Sequence, residues 1–141
     1  MAGIRGKDTK PEVSLRKALH ARGFRYRLHG KDLSGRPDIV FSKHRAVCFI
    51  HGCFWHRHKG CRYATTPKTR TDFWEAKFAA TIARDLRSHT RLRQAGWRVA
   101  VVWECSLRGD GLGATVSRLA SWLVGDSPEF STDYEAEQRV D

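Results

Sequence analysis

The segment 51–67 constrains the fold of this chain more than any other, because it has no hydrophobic period yet is dense in cysteine and histidine. Its candidate metal ligands, together with a cysteine that follows a later apolar run, are Cys53, His58, Cys61 and Cys105. Structural zinc takes four Cys or His ligands in a tetrahedron, and a loop without its own core gains folding energy from the ion. The spacing therefore predicts a zinc clip. Free thiols are the alternative, and spacing alone leaves His56 open as the ligand in place of His58.

Hydrophobic periodicity predicts helices and strands on both sides of this loop. Helices are expected at 10–22, 71–95 and 114–124, and strands at 24–28, 38–41, 45–50 and 97–103. Thr9 and Pro11 supply a cap and a first-turn proline for the first helix. The order α-β-β-β-α-β-α predicts an α/β fold with helices flanking a mixed central sheet. In it, a three-stranded meander is joined by a strand that follows a long crossover helix.

The predicted helix 71–95 is amphipathic. Its apolar positions recur at helical spacing and are Phe78, Ala79, Ile82, Ala83 and Leu86. A second stripe carries the basic residues Arg84, Arg87 and Arg91. The apolar stripe is thus the face expected to pack on the protein. Outside this helix, the residues expected in the core include Cys48, Trp97, Trp103 and Trp122.

Charge divides the chain into two parts. Of its 141 residues, 26 are Lys or Arg and 15 are Asp or Glu, which gives a net charge of +11. Residues 126–141 hold six acids and one base, so residues 1–125 alone carry +16. A body this basic predicts a polyanionic partner, nucleic acid before anionic membrane. We expect one folded domain over 1–125, followed by a flexible acidic tail over 126–141.

Composition also excludes some classes of protein. The longest apolar runs, 46–50 and 99–103, are far shorter than the roughly 20 residues that a membrane helix needs. No apolar stretch follows the basic residues at the N-terminus, so a secretory signal is not expected. We therefore expect the chain to work in a reducing cytoplasm, where disulfides are disfavoured.

Asp38 is the first candidate catalytic residue. In the run Gly35-Arg36-Pro37-Asp38 it opens an apolar strand, where an isolated carboxylate costs several kcal/mol unless it meets a cation. Mg²⁺ would meet that need and would also bind a scissile phosphate. A strand-initiating Asp in a turn is the alternative. Glu12 lies three residues before Leu15, on the same helix face, which places a second carboxylate near the edge of the core.

Two histidines flank the first candidate zinc ligand. A metal-bound loop would hold His51 and His56 near the end of the strand beside Asp38. An imidazole can take a proton from an attacking water near neutral pH. The pair therefore indicates a histidine general base, with a surface or structural role as the alternative for either histidine taken alone.

Aromatic residues are the third feature of the predicted site. Phe54 and Trp55 lie in the candidate metal loop, and Trp74 opens the long helix close to Arg70. Exposed aromatics on a basic surface suit stacking on bases or wedging between them. Packing around the zinc site is the alternative, and it is a stronger competitor for Phe54 than for Trp74.

Four motifs, in order, resemble the very short patch repair (Vsr) endonucleases. They are Gly35-Arg36-Pro37-Asp38, His51-Gly52-Cys53-Phe54-Trp55-His56, Thr69-Arg70-Thr71-Asp72-Phe73-Trp74 and the segment 96–105. The resemblance implies a zinc-containing variant of the restriction-endonuclease-like fold. It also implies an Mg²⁺-dependent enzyme that nicks one strand of duplex DNA 5′ of the thymine in a T·G mismatch, which arises when 5-methylcytosine deaminates. Such an enzyme is expected to act as a monomer at the bacterial nucleoid, with repair-pathway proteins as further partners.

The resemblance implies site roles residue by residue. The catalytic group comprises Asp38 as the Mg²⁺ ligand and His56 as the catalytic histidine, with His51 and Glu12 in support. Zinc is assigned to Cys53, His58, Cys61 and Cys105. The DNA-contacting residues are the aromatic wedge Phe54, Trp55 and Trp74, with Arg36 and Arg70 beside it. The resemblance thus decides between His56 and His58 as the zinc ligand.

The chain departs from the family at three points. Ile50 stands where a threonine often precedes the His-Gly-Cys motif, so only its main-chain carbonyl would help to hold Mg²⁺. Two residues separate His58 from Cys61, where other members can have one. The arm before Ile4 is short. Two rival functions therefore stay open: a related nicking or restriction-type nuclease with relaxed or different specificity, and a non-catalytic, zinc-stabilised binder of distorted DNA.

Overall fold

The computed structural model describes residues 9–132. Its helices are α1 (Lys10–Ala21), α2 (Thr71–Gln94) and α3 (Gly111–Val124), and its strands are β1 (Arg27–Leu28), β2 (Ile39–Phe41), β3 (Ala46–His51), β4 (Arg98–Trp103) and β5 (Glu129–Ser131). The strands form one sheet in the order β1-β2-β3-β4-β5. β1, β2 and β3 pair antiparallel, whereas β4 and β5 each join in parallel. The predicted α/β fold, with its meander and its strand after a crossover helix, is confirmed.

The register of the central strands brings several chain segments to one edge of the sheet, here called the site edge. β3 and β4 run parallel with His51 opposite Trp103, so both strands end there. β2 runs the other way, with Ile39 opposite Cys48, so the chain enters β2 from the same edge at Asp38. The site edge therefore receives the end of β3, the end of β4 and the start of β2.

Helices cover both faces of the sheet. α1 and α3 pack on one face in a core that includes Leu15, Leu19, Cys48, Leu119 and Leu123. α2 covers the other face, where its Leu92 meets Val47 and Phe49 of β3. The continuous apolar runs of β3 and β4 follow from this arrangement, because both faces of each strand are covered. Each fully buried leucine stabilises the fold by roughly 1.5–3 kcal/mol.

The buried face of α2 is not the one that its apolar periodicity predicts. Ile82 and Leu86 are 42% and 63% exposed, so their assignment to the packed face was wrong, although Phe78 is buried as expected. The residues of α2 that are buried are Phe78, Thr81, Ser88, His89 and Leu92. Several of these are polar, because this face lines the candidate site rather than the core. The face of α2 that is buried is therefore the one with these polar residues, and not the one with the apolar stripe.

The first part of the expected acidic tail is a strand instead. β5 adds to the edge of β4, and Phe130 packs against Trp122 with ring centroids 5.9 Å apart. Thr132 donates its amide to the Val101 carbonyl at 3.1 Å, and its hydroxyl accepts from the Trp103 amide at 2.9 Å. The unpaired edge of β4 supplies the hydrogen bonds that a segment of three residues cannot supply alone. Residues 133–141, and the N-terminal arm before Thr9, lie outside the described residues.

Two smaller differences concern element ends. The predicted strand at 24–28 is regular only at Arg27–Leu28, because Phe24 and Tyr26 instead pack edge-on against the ring of Phe41. Thr9 takes the N-cap position of α1 but its side chain makes no capping hydrogen bond. Within the described part of the chain, the helices are too short or too polar to cross a membrane.

Candidate active site and metal sites

A cleft of about 960 Å³ opens at the site edge. Its walls come from the start of α1, the loop before β2, the end of β3, the Cys/His loop and the middle of α2. The sequence-predicted catalytic residues Glu12, Asp38, His51 and His56 all line it. The fold therefore brings together side chains that lie up to 44 positions apart in the sequence.

Asp38 is held at the mouth of the cleft by main-chain contacts. Its Oδ2 accepts a hydrogen bond from the amide of Ile50 at 2.7 Å. The preceding turn lies tightly on α2 at Gly35, whose φ is +76° and where an added Cβ would come within 2.6 Å of the Ser88 Cβ. Only glycine fits that approach. The strand pairing and the Gly35 turn together fix the direction in which the carboxylate enters the cleft.

Burial raises the pKa of Asp38 to about 6, and the neighbouring charge of Glu12 adds to the effect. Glu12, on α1, is only 6% exposed. Two carboxylates in one cleft repel each other unless a cation or a proton lies between them. Their oxygens, with the main-chain carbonyl of Ile50 nearby, are the donor type that Mg²⁺ prefers. The residues present thus fit a magnesium site.

His56, which also lines the cleft, is paired with an aspartate of α2. His56 Nδ1 lies 2.6 Å from Asp85 Oδ2. Burial alone would raise the pKa of Asp85, but the hydrogen bond from His56 and the nearby imidazoles outweigh it, so this pKa is lowered. An ionised Asp85 can only accept, so Nδ1 of His56 carries the proton. In the neutral ring, Nε2 is then free to take a proton from water.

A stack of imidazoles lies behind His56. The ring of His51 lies 3.9 Å from that of His56 with the planes 5° apart, and His89 follows at 5.8 Å and 14°. Burial lowers the pKa of His51 to about 3 and also lowers the pKa of His89. His51 is therefore a neutral ring at any working pH. It supports His56 by packing rather than by charge.

The predicted zinc ligands meet beside this stack. One atom from each of Cys53, His58, Cys61 and Cys105 lies within 4.8 Å of the others. The Cys105 Sγ is 3.4 Å from the His58 Nδ1, close to the roughly 3.6 Å between sulfur and nitrogen ligands on one tetrahedral zinc ion. His56 belongs to a different group, with His51 and Asp85. The donor set and its size fit a structural zinc ion.

The predicted wedge residues form one aromatic cluster rather than separate projections. Phe54 lies 5.1 Å from Trp55 and 5.8 Å from Trp74, and the two tryptophans lie 5.7 Å apart. Phe73, which is 40% exposed, packs on Trp74 at 5.3 Å. Phe78 supports the cluster from within the helix, with its ring 5.3 Å from Phe54. Each predicted wedge residue is only partly buried, so the cluster offers an aromatic surface, and its Phe54 and Trp55 also line the cleft.

Basic residues lie around both the cleft and the aromatic cluster. Arg36 and Arg84 line the cleft, together with Lys10 and Arg108. Arg70 is exposed and lies over the ring of Phe73 at 4.3 Å. Cations placed around carboxylates and aromatics suit a phosphate backbone that must pass the cleft. Of the two predicted DNA-contacting arginines, Arg36 thus lines the cleft and Arg70 lies against the aromatic cluster.

Three residues of the site region, Asp85, His89 and Phe73, were not indicated by the sequence pattern. Asp85 is the one acid between Lys77 and Gln94 of a basic helix, and it lies seven residues after the buried Phe78. That spacing places both on one helix face. An isolated acid in such a position was a detectable signal, but it became informative only once the buried face of α2 was known.

The fold and the cleft residues suit a nuclease of the restriction-endonuclease-like class, and comparison with known proteins identifies the family. The sequence profile of the family described as DNA mismatch endonuclease Vsr matches residues 1–62. The chain is 52% identical to the type II nicking enzyme V.XorIIP of Xanthomonas oryzae pv. oryzae, over 87% of this chain and 88% of that protein. It is 40% identical to the DNA mismatch endonuclease Vsr of Escherichia coli, over 94% of this chain and 86% of that protein. The chain belongs to the Vsr family and is a DNA endonuclease.

Proposed function

We propose that this endonuclease hydrolyses one strand of duplex DNA 5′ of the thymine in a T·G mismatch, with Mg²⁺ as the catalytic ion. The observation that carries the proposal is the presence, in one cleft, of the Asp38 and Glu12 carboxylates and the His56–Asp85 pair. The carboxylates suit a cation that binds the scissile phosphate, and the paired imidazole suits a proton acceptor. Phosphodiester hydrolysis requires both functions, a cation at the phosphate and a base that takes a proton from water.

In the proposed mechanism, His56 removes a proton from the attacking water through Nε2. Asp85 accepts the Nδ1 hydrogen bond, which holds the ring in the required tautomer and stabilises the imidazolium that forms. Asp38 and the main-chain carbonyl of Ile50 would hold the magnesium ion, with Glu12 in support. When bound, Mg²⁺ supplies positive charge that offsets the charge developing on the phosphate and on the leaving oxygen.

Mismatch recognition is assigned to the aromatic cluster. A T·G wobble pair stacks poorly, so inserting aromatic side chains costs less there than at a matched pair. Phe54, Trp55 and Trp74 are already packed together beside the cleft, so little ordering is needed on binding. Arg36 and Arg70 would hold the flanking phosphates.

The proposed zinc ion is structural. Its four protein ligands Cys53, His58, Cys61 and Cys105 leave no open coordination position for catalysis. One copy of the chain suffices to nick one strand of an asymmetric lesion, so we propose that it acts as a monomer. Repair proteins that process the nick are the proposed partners.

A panel of labelled duplexes tests the function. Nicking should occur 5′ of thymine in T·G duplexes, require Mg²⁺, and be at least about 100-fold slower on matched duplexes. Asp38→Asn should abolish nicking and leave DNA binding largely unchanged, whereas Asp32→Asn, in an exposed loop, should behave as wild type. Efficient nicking without T·G would support the relaxed-specificity alternative, and binding without any nicking would support the non-catalytic one.

A further inference from the structure

The imidazole–carboxylate group beside the cleft has the composition of a second metal site. Nitrogens of His51 and His56 and a carboxylate oxygen of Asp85 all lie within 4.8 Å of one another. Ligands that share one tetrahedral ion at about 2.1 Å lie roughly 3.4 Å apart. His56 Nδ1 and Asp85 Oδ2 are already 2.6 Å apart, so side-chain rotations that separate this pair slightly and bring His51 closer by up to about 1.4 Å would place all three on one ion.

The buried nitrogens of His51 are an independent indication of a ligand. His51 is 4% exposed, and within residues 9–132 neither its Nδ1 nor its Nε2 has a hydrogen-bond partner. A buried polar atom left without a partner is energetically unfavourable. The rings of His51 and His56 are stacked, with centroids 3.9 Å apart and planes 5° apart, so one ring must turn before both present a nitrogen to the same ion. Because His51 makes no hydrogen bond, its ring can turn toward a shared ion without breaking one.

We propose that His51, His56 and Asp85 form a second, exchangeable site for a transition-metal ion of the Zn²⁺ or Co²⁺ type. Two imidazoles and one carboxylate suit such ions, whereas Mg²⁺ prefers an all-oxygen site such as that around Asp38. The side chains of His56 and Asp85 are 24% and 21% exposed, so an ion can enter from the cleft without unfolding the protein. Binding replaces the hydrogen bond between these two residues.

Occupation of this site inhibits nicking. A metal ion on His56 uses the lone pair or displaces the Asp85 contact that the general base needs, and added Mg²⁺ does not compete well for nitrogen ligands. This consequence rests on the proposed function, but metal binding itself does not. The two are therefore tested by separate measurements.

Cobalt titration of the zinc-loaded full-length protein tests the site. Co²⁺ bound by nitrogen and oxygen gives d–d absorption without the intense near-ultraviolet band of cobalt–thiolate bonds, so it is distinguished from cobalt that replaces zinc at Cys53, His58, Cys61 and Cys105. One such ion per chain is expected. His51→Gln and Asp85→Asn should each weaken its binding at least about tenfold, whereas His20→Gln, at an exposed position of α1, should not.

Zinc content and circular dichroism show whether each variant has folded. If one of the two site variants does not fold, the other still tests the site. A thiolate band alone, or cobalt binding that both site variants retain, overturns the proposal. Excess Zn²⁺ at saturating Mg²⁺ should then lower nicking of a T·G duplex at least about tenfold. If no duplex is nicked under any metal condition, the proposed function fails, and the cobalt spectrum still decides on the site.

Discussion

The indole of Trp103 stacks on the imidazole of His58, with ring centroids 4.3 Å apart and planes 9° apart. The same indole meets His51 edge-on at 5.1 Å. One side chain at the end of β4 thus contacts both a proposed zinc ligand and the imidazole stack of the cleft. Order in the Cys/His loop is therefore transmitted by direct packing to the histidine that supports the proposed base.

Removal of zinc should inactivate the enzyme by releasing this packing. Cys105→Ser is expected to lower bound zinc, disorder the Cys/His loop and reduce nicking by about 100-fold or more. Metal analysis, tryptophan fluorescence and a nicking assay measure these effects. Cys48→Ala is the matched control, because this thiol is buried in β3 outside the cluster. Full activity in zinc-free Cys105→Ser protein would contradict the proposed structural role of zinc.

Asp85→Asn should reduce turnover without weakening DNA binding. The amide can donate to Nδ1 of His56 and so favour the tautomer in which Nε2 holds the proton, which removes the general base. We expect kcat to fall by about 10²–10⁴, with KM for the duplex within about twofold. Steady-state kinetics give both values. Asp72→Asn, the same substitution at an exposed position of the first turn of α2, should have no effect, and equal losses in both variants would count against the His56–Asp85 pair.

Asp38 should make stability depend on pH. Its pKa rises from 3.8 to about 6 on folding, mainly through burial, so the folded state favours the protonated carboxyl. Its contribution is therefore greatest below about pH 4, declines as pH rises to about 6, and at neutral pH the ionised carboxylate costs about 3 kcal/mol. In Mg²⁺-free buffer, Asp38→Asn should be more stable than wild type at pH 7, and the difference should vanish below about pH 4.

Magnesium should reverse the order of stability of wild type and Asp38→Asn at pH 7. Mg²⁺ binds the ionised carboxylate, so it should raise the melting temperature of wild type at pH 7, lose that effect below about pH 6, and leave Asp38→Asn unchanged. Thermal unfolding with and without Mg²⁺ measures both effects, with Asp32→Asn as the control. Equal stabilisation of Asp38→Asn by Mg²⁺ would place the ion elsewhere.

The central part of the fold could be predicted because its signals are local. β3 and β4 are continuous apolar runs, and the Cys/His spacing within one loop indicates a metal cluster without reference to the rest of the chain. Glu12 is buried where its position before Leu15 on α1 suggested. In each case, residues close in sequence determine the pattern.

What could not be predicted depends on distant partners. β5 has three residues, too few to be recognised, and it forms because the edge of β4 offers hydrogen bonds. The packed face of α2 carries Thr81, Asp85 and Ser88, which look like solvated positions until the cleft opposite them is known. Apolar residues of a helix are usually the buried ones, but in a helix that lines a polar site the polar residues are buried instead.

A matched pair of alanine substitutions tests the orientation of α2. Phe78 is 7% exposed, and its ring packs on Phe54 and under the guanidinium of Arg57, which lies 4.0 Å from its centroid. Phe78→Ala should therefore lower the free energy of unfolding by about 3–5 kcal/mol and loosen the Cys/His loop. Leu86 is 63% exposed, so Leu86→Ala should change the free energy of unfolding by less than about 0.5 kcal/mol. Urea unfolding of the two variants measures both changes. If Leu86→Ala were the more destabilising change, the apolar stripe would be the buried one and the pairing of Asp85 with His56 would be lost with it.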